Sequence, residues 1–82
     1  MILVEIYVAC LDKVYDFRLD TSAIIEDVIE DIITIVSQKE DMVLDINKEN
    51  LTLSIVSKEV GVNKKLTLAD YKVKQGMKLI LV

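Results

Sequence analysis

Apolar residues recur with two different periods along this chain of 82 residues, and the change of period marks its elements. Over residues 2–10 the period is two. Ile2, Val4, Ile6, Val8 and Cys10 share one side of an extended strand, the pattern of a strand with one buried face. Residues 13–19, KVYDFRL, alternate again: Tyr15, Phe17 and Leu19 point one way, Asp16 and Arg18 the other. The LDK link between the two runs suits a β-hairpin, although it lacks the glycine such turns favour.

From Thr21 the period lengthens to that of a helix. In TSAIIEDVIEDIITIVSQ the apolar residues Ile24, Ile25, Val28, Ile29, Ile32, Ile33, Ile35 and Val36 fill about half of the helix circumference. Glu26, Asp27, Glu30 and Asp31 fill the other half. Thr21 or Ser22 is placed to cap the start, and the early acids suit the positive end of the helix dipole. Isoleucine is a poor helix former, and the acidic pairs four residues apart repel. Tertiary packing must therefore hold this helix.

Residues 40–50 read mostly as loop, with Met42, Leu44 and Ile46 available to anchor it. LTLSIVS follows as a strand with Leu51, Leu53 and Ile55 inward. VGVNKKL suits a short edge strand with a turn, TLADY a short helical turn, and MKLILV a last strand with Met77, Leu79 and Leu81 inward. The order predicts an α+β fold: a mixed sheet of four to five strands with one main helix on one face. With the helix as a crossover, the first and last strands lie side by side and parallel at the sheet centre. One domain spanning 1–82 is expected at this length.

Composition narrows the function classes. Fully 52% of residues are hydrophobic, with no Pro and only two Gly, which opposes disorder. The absence of His removes imidazole catalysis, and a single Cys removes thiolate zinc sites and internal disulfides. Cys10, with no base to activate it, is expected to be a buried structural thiol. The N-terminus MILVEIYVAC has no basic lead-in and is interrupted by Glu5, so it reads as neither signal peptide nor membrane span. A cytoplasmic protein without direct membrane insertion is expected. Residues 1–50 carry a net charge of −8 and residues 51–82 a net of +4. A whole-chain charge of −4 speaks against nucleic acid as a partner. The asymmetry reads as ordinary surface charge or as two faces that orient a protein partner.

Motifs for chemistry fail one by one. DINKEN sets oxygen ligands at Asp45, Asn47 and Glu49, but Asn50 stands where a calcium loop needs Gly, and Val56 where it needs a bidentate acid. Two isolated glycines build no phosphate loop. The helix carboxylates suit a solvated face better than acid–base catalysis. The chain is expected to be no enzyme, with no catalytic residues, metal or cofactor.

What remains is surface. On the face away from the helix, Leu3, Tyr7, Val56, Ile80 and Val82 stand where polar residues belong, with Lys72, Lys74 and Lys78 at their border. They read either as scattered exposed apolar residues or as one contiguous patch that takes a protein partner or a second copy of the chain.

TLADYKVKQGMKLILV, with Thr67, Leu68, Asp70 and Tyr71, resembles the C-terminal half of ubiquitin-like β-grasp domains, and IEDV at Ile25–Val28 is similar to the start of their helix. The resemblance implies that Asp70 and Tyr71 are structural, bonding to nearby backbone. VYDFRLD at Val14–Asp20, and Val73, Gly76 and Leu79, look like the YukD-type proteins of Gram-positive type VII (WXG100) secretion systems. That likeness implies an accessory or regulatory role beside secretion-machinery components. The alternative is a modifier or sulfur carrier, which in this superfamily acts through a Gly-Gly tail; ending at Val82 in a strand pattern disfavours it.

Overall fold

The computed structural model describes residues 1–41, 51–56 and 60–82. Met42, Leu44, Ile46 and the tested calcium loop of Asp45, Asn47 and Glu49 lie outside the described residues. The strands are β1 (Ile2–Val8), β2 (Lys13–Leu19), β3 (Leu53–Ile55), β4 (Val60–Gly61) and β5 (Lys78–Leu81), and the helix is α1 (Ile25–Lys39). Among the described residues these strands form one sheet in the order β2-β1-β5-β3-β4. β1 and β2 are antiparallel, β1 and β5 parallel at the centre, and β5, β3 and β4 antiparallel in turn. The parallel central pair and the crossover helix are as the element order predicts.

The core lies between the sheet and α1. Val4, Ile6, Val8, Phe17, Leu19, Leu53, Ile55, Leu79 and Leu81 present the inner side of the sheet. Ile25, Val28, Ile29, Ile32, Ile33 and Val36 present the helix stripe against them. Each element buries alternate or three-and-four-spaced residues, so period alone places these side chains.

Three local expectations are corrected. The strand stops at Val8, and Ala9–Leu11 form a 3₁₀ turn, so Cys10 is exposed and not a buried thiol. The chain must reverse within four residues, and Asp12 enables this by taking a left-handed conformation (φ 51°), the role a glycine usually fills. Neither Thr21 nor Ser22 caps the helix. Ile24 occupies the cap position without a side-chain bond, and Ser22 instead gives its N–H and hydroxyl to Asp20 at 2.9 and 2.7 Å. The first helical donors are met from afar: Ile25 N–H reaches the Leu66 carbonyl at 2.8 Å and Glu26 N–H the Lys64 carbonyl at 3.0 Å. A backbone partner so satisfies the orphan donors of the first turn. Ile24 and Ile35, counted in the apolar stripe, are 43% and 39% exposed. Ile24 precedes the helix, and Ile35 sits at its margin beside β2.

Before β5 the chain makes a 3₁₀ turn at Ala69–Tyr71. Thr67 N–H donates to Asp70 Oδ2 at 2.9 Å, and Asp70 N–H returns a bond to Thr67 Oγ1 at 3.2 Å. Tyr71 Oη accepts from Asn63 N–H at 2.7 Å, tying this turn to the approach to the helix start. Gly76 then turns the chain into β5 at φ +85°, a conformation that L side chains rarely adopt, and its N–H donates to the Leu3 carbonyl at 2.8 Å.

Candidate protein-interaction face

Among the described residues, one face of the sheet carries α1 and the other is open. Register decides which open-face residues meet. Val14 on β2 pairs with Tyr7 on β1, Tyr7 with Ile80 on β5, and Ile80 with Ser54 on β3. These four form one row across four strands, apolar over its first three members. Val82, 53% exposed, extends the apolar surface from Ile80 along the chain. Its N–H and carbonyl both bond to Thr52, at 3.0 and 2.9 Å.

The next row is charged. Asp16 pairs with Glu5 and Glu5 with Lys78, whose Nζ stands 3.8 Å from Glu5 Oε2. Leu3 lies beyond this row, paired with Arg18. Val56 lies one residue past the end of β3, exposed and outside the ladder. Of the five residues read from sequence, the structure therefore brings together Tyr7, Ile80 and Val82. It sets Leu3 apart behind the charged row and leaves Val56 at the margin. A single contiguous patch of all five is not what the register builds. Val14, 54% exposed, is the member that sequence reasoning missed. It continues the alternation of Asp16 and Arg18, and that was the available signal. Lys78 borders the apolar row through its pairing with Glu5, while Lys72 and Lys74 lie in the approach to β5.

Tyr7 is fixed in place. Its hydroxyl donates to Asp12 Oδ1 at 2.6 Å, and that bond, with some burial and the Asp12 charge, pushes the phenol above its ordinary pKa. A tyrosine with a prearranged ring offers broad contact area at small entropic cost, which is why such residues anchor interfaces. The edge of the sheet is braced separately. Glu40, following α1, accepts from the Tyr15 hydroxyl and from Lys13 Nζ at 2.9 Å. The Tyr15 bond is the main cause that pushes that phenol up to about 12, with burial and the Glu40 charge adding to it. The same two donors hold the Glu40 carboxyl below its usual range, Tyr15 contributing most.

Among the described residues no helix is long and apolar enough to cross a membrane. No protein-family model matches the chain, and no curated protein matches it by sequence. Among solved structures it is similar to the ubiquitin-like domain of the Arabidopsis thaliana protein At2g32350, determined by NMR. The TM-score is 0.73 at 12% identity, over 99% of this chain and 74% of that one. At that identity the likeness is one of fold: this chain has the ubiquitin-like fold, one helix on a mixed sheet.

Proposed function

We propose that the chain is a non-conjugating ubiquitin-like module that works by binding another protein through its open sheet face. The observation that carries the reading is the row Val14–Tyr7–Ile80, apolar, held in register by three adjacent strands and bordered by the Asp16–Glu5–Lys78 row. An apolar centre with a charged rim is the anatomy of a protein interface. Partial burial of these side chains and Val82 is worth about 1 kcal/mol each, enough for a modest complex once association costs are met. No catalytic chemistry is proposed. The reading is one of docking and not of transfer to another molecule. Intact-mass spectrometry of the native protein checks this: an adduct or conjugate on the chain contradicts it.

The finer reading is a cytoplasmic accessory or regulator of a type VII secretion system, supported by the sequence likeness at Val14–Asp20, Val73, Gly76 and Leu79. In it the open face docks onto a component of the secretion machinery or onto a second copy of the chain. Val14→Asp with Ile80→Asp places a carboxylate on either side of Tyr7 in the row. The double variant should remain folded while losing its partner in pull-downs and any self-association in light scattering. Unchanged capture and unchanged mass overturn the assignment of this face.

A further inference from the structure

The charges of the open face stand in a fixed order across the strands. Over β2, β1 and β5 the charged row reads Asp16, Glu5, Lys78: two carboxylates, then a cation. Lys78 and Glu5 are exposed, with 71% and 44% of their side-chain surface accessible, and their charged atoms stand 3.8 Å apart. β3 follows β5 in the sheet, and the position just past its end is apolar Val56. The neighbouring row reads Val14, Tyr7, Ile80 and Ser54 over the same four strands.

A two-fold axis that lies in the interface, parallel to the strands, lays on each row the same row reversed. With the axis between β1 and β5, β1 faces β5 of the second copy and β2 faces its β3. Glu5 then meets Lys78 and Lys78 meets Glu5, while Asp16 falls at the margin beside Val56. No like charges oppose one another. In the neighbouring row Tyr7 meets Ile80 and Val14 meets Ser54. Other axes fail. Placed on β1, the axis opposes Glu5 to Glu5; on β5, Lys78 to Lys78; between β1 and β2, Glu5 to Asp16. Like charges face to face are unfavourable. An axis across the strands, along the Tyr7 row, lays Lys78 on Val82 and so buries a charge against an apolar side chain. Stacked sheets cross at about 30°, so the contacts nearest the axis, Tyr7–Ile80 and Glu5–Lys78, stay in register while the outer ones splay.

The face is of a size for reversible pairing. At about 4.8 Å between strands and about 6.8 Å between alternate residues of one strand, the rows of Val82, Ile80 and Lys78 over four strands cover roughly 15 by 15 Å. With side-chain relief, two such faces bury on the order of 1,000 Å², the low end for specific association. That suits a dimer with a dissociation constant on the order of 0.1 mM. Tyr7, its hydroxyl held by Asp12 at 2.6 Å, needs little ordering on contact. The four central charges alternate in sign around the axis, which sets register more than affinity.

We propose that the open face binds a second copy of this chain, as a reversible two-fold dimer in which β1 of each copy faces β5 of the other. The proposal rests on the open-face reading and names its occupant. Sedimentation equilibrium of the full chain, up to about 1 mM, tests it and should show monomer and dimer alone. Glu5→Lys and Lys78→Glu should each weaken the dimer about tenfold, from two lost cross pairs and the new repulsion. Both positions are exposed, and circular dichroism checks that each variant is folded. An equimolar mixture of the two variants should recover dimer, because one copy brings two lysines and the other two glutamates to the axis. The double variant Glu5→Lys, Lys78→Glu should recover it alone. A monomeric chain at about 1 mM overturns the proposal, as do assemblies larger than a dimer. So does a dimer that the single variants leave unchanged, or a mixture that stays monomeric. A chain that is monomeric yet captures a different protein, and loses it in the Val14→Asp, Ile80→Asp variant, overturns the dimer and leaves the open-face reading standing.

Discussion

Leu79 and Ile80 are consecutive residues of β5, and their side chains leave the strand on opposite sides. Leu79 is 1% exposed, flanked in the ladder by Ile6 and Ile55. Ile80 is half-buried on the open face between Tyr7 and Ser54. Leu79→Ala removes the isobutyl end from a packed layer and leaves a cavity under α1, at a cost of about 2–5 kcal/mol. A domain of this length has a total stability of about 4–12 kcal/mol, so the loss is a large share of it. At about 4–8 °C per kcal/mol, Tm should drop by roughly 8–40 °C. Ile80→Ala loses partial burial and some strand preference, about 1 kcal/mol, and Tm should fall by less than about 8 °C. Thermal melts followed by circular dichroism, with urea curves to confirm an unchanged m-value, measure both. Equal losses at the two positions, or a larger one at Ile80, refute the assignment of the two faces and with it the open-face interface.

Tyr15 should ionise near pH 12 in an ultraviolet titration, and Glu40→Ala should return it toward 10. Because the folded value is raised, the stabilisation is present below about pH 10 and is lost as pH rises through about 12. Asp20, Glu26 and Glu40 are held low by Ser22, Lys65 and Tyr15 respectively. Their stabilisation is present above the unfolded carboxylate range of about 4 and is lost as pH falls through the lower folded values, so Tm should decline in acid. Cys10 should react fully with a thiol reagent in the native protein without denaturant, and protection of the thiol contradicts the 3₁₀ turn placed there. Gly76→Ala should cost about 1–2 kcal/mol in chemical denaturation from the left-handed backbone alone, since a Cβ added there meets nothing within 4 Å.

Much of the fold is legible in the sequence because burial imposes a period on each element. Val4, Ile6 and Val8 alternate, Ile25 to Val36 recur at helical spacing, and the shift between the two patterns separates hairpin from helix. What period cannot supply is where an element stops and what lies across from it. Cys10 continues the alternation of β1, yet the chain has already turned to reach β2. The helix start looks capped by Thr21 or Ser22, while its donors go to Leu66 and Lys64, some forty residues along the chain. The open face shows the same limit. Alternation sorts Leu3 and Tyr7 to one side, but only the β1–β2 and β1–β5 registers put Val14 and Ile80 beside Tyr7 and set the Glu5 row before Leu3. The clasp of Glu40 on Tyr15 and Lys13 joins residues 25 and 27 positions apart, and nothing local announces it.

The most direct measurement is a map of contact on the isotope-labelled protein in complex with the partner recovered by pull-down. The open-face reading predicts the largest amide and methyl perturbations at Tyr7, Val14, Ile80 and Val82, and their disappearance in the Val14→Asp, Ile80→Asp double variant. Perturbations confined to other surfaces, with Tyr7 and Ile80 unchanged at saturation, contradict it.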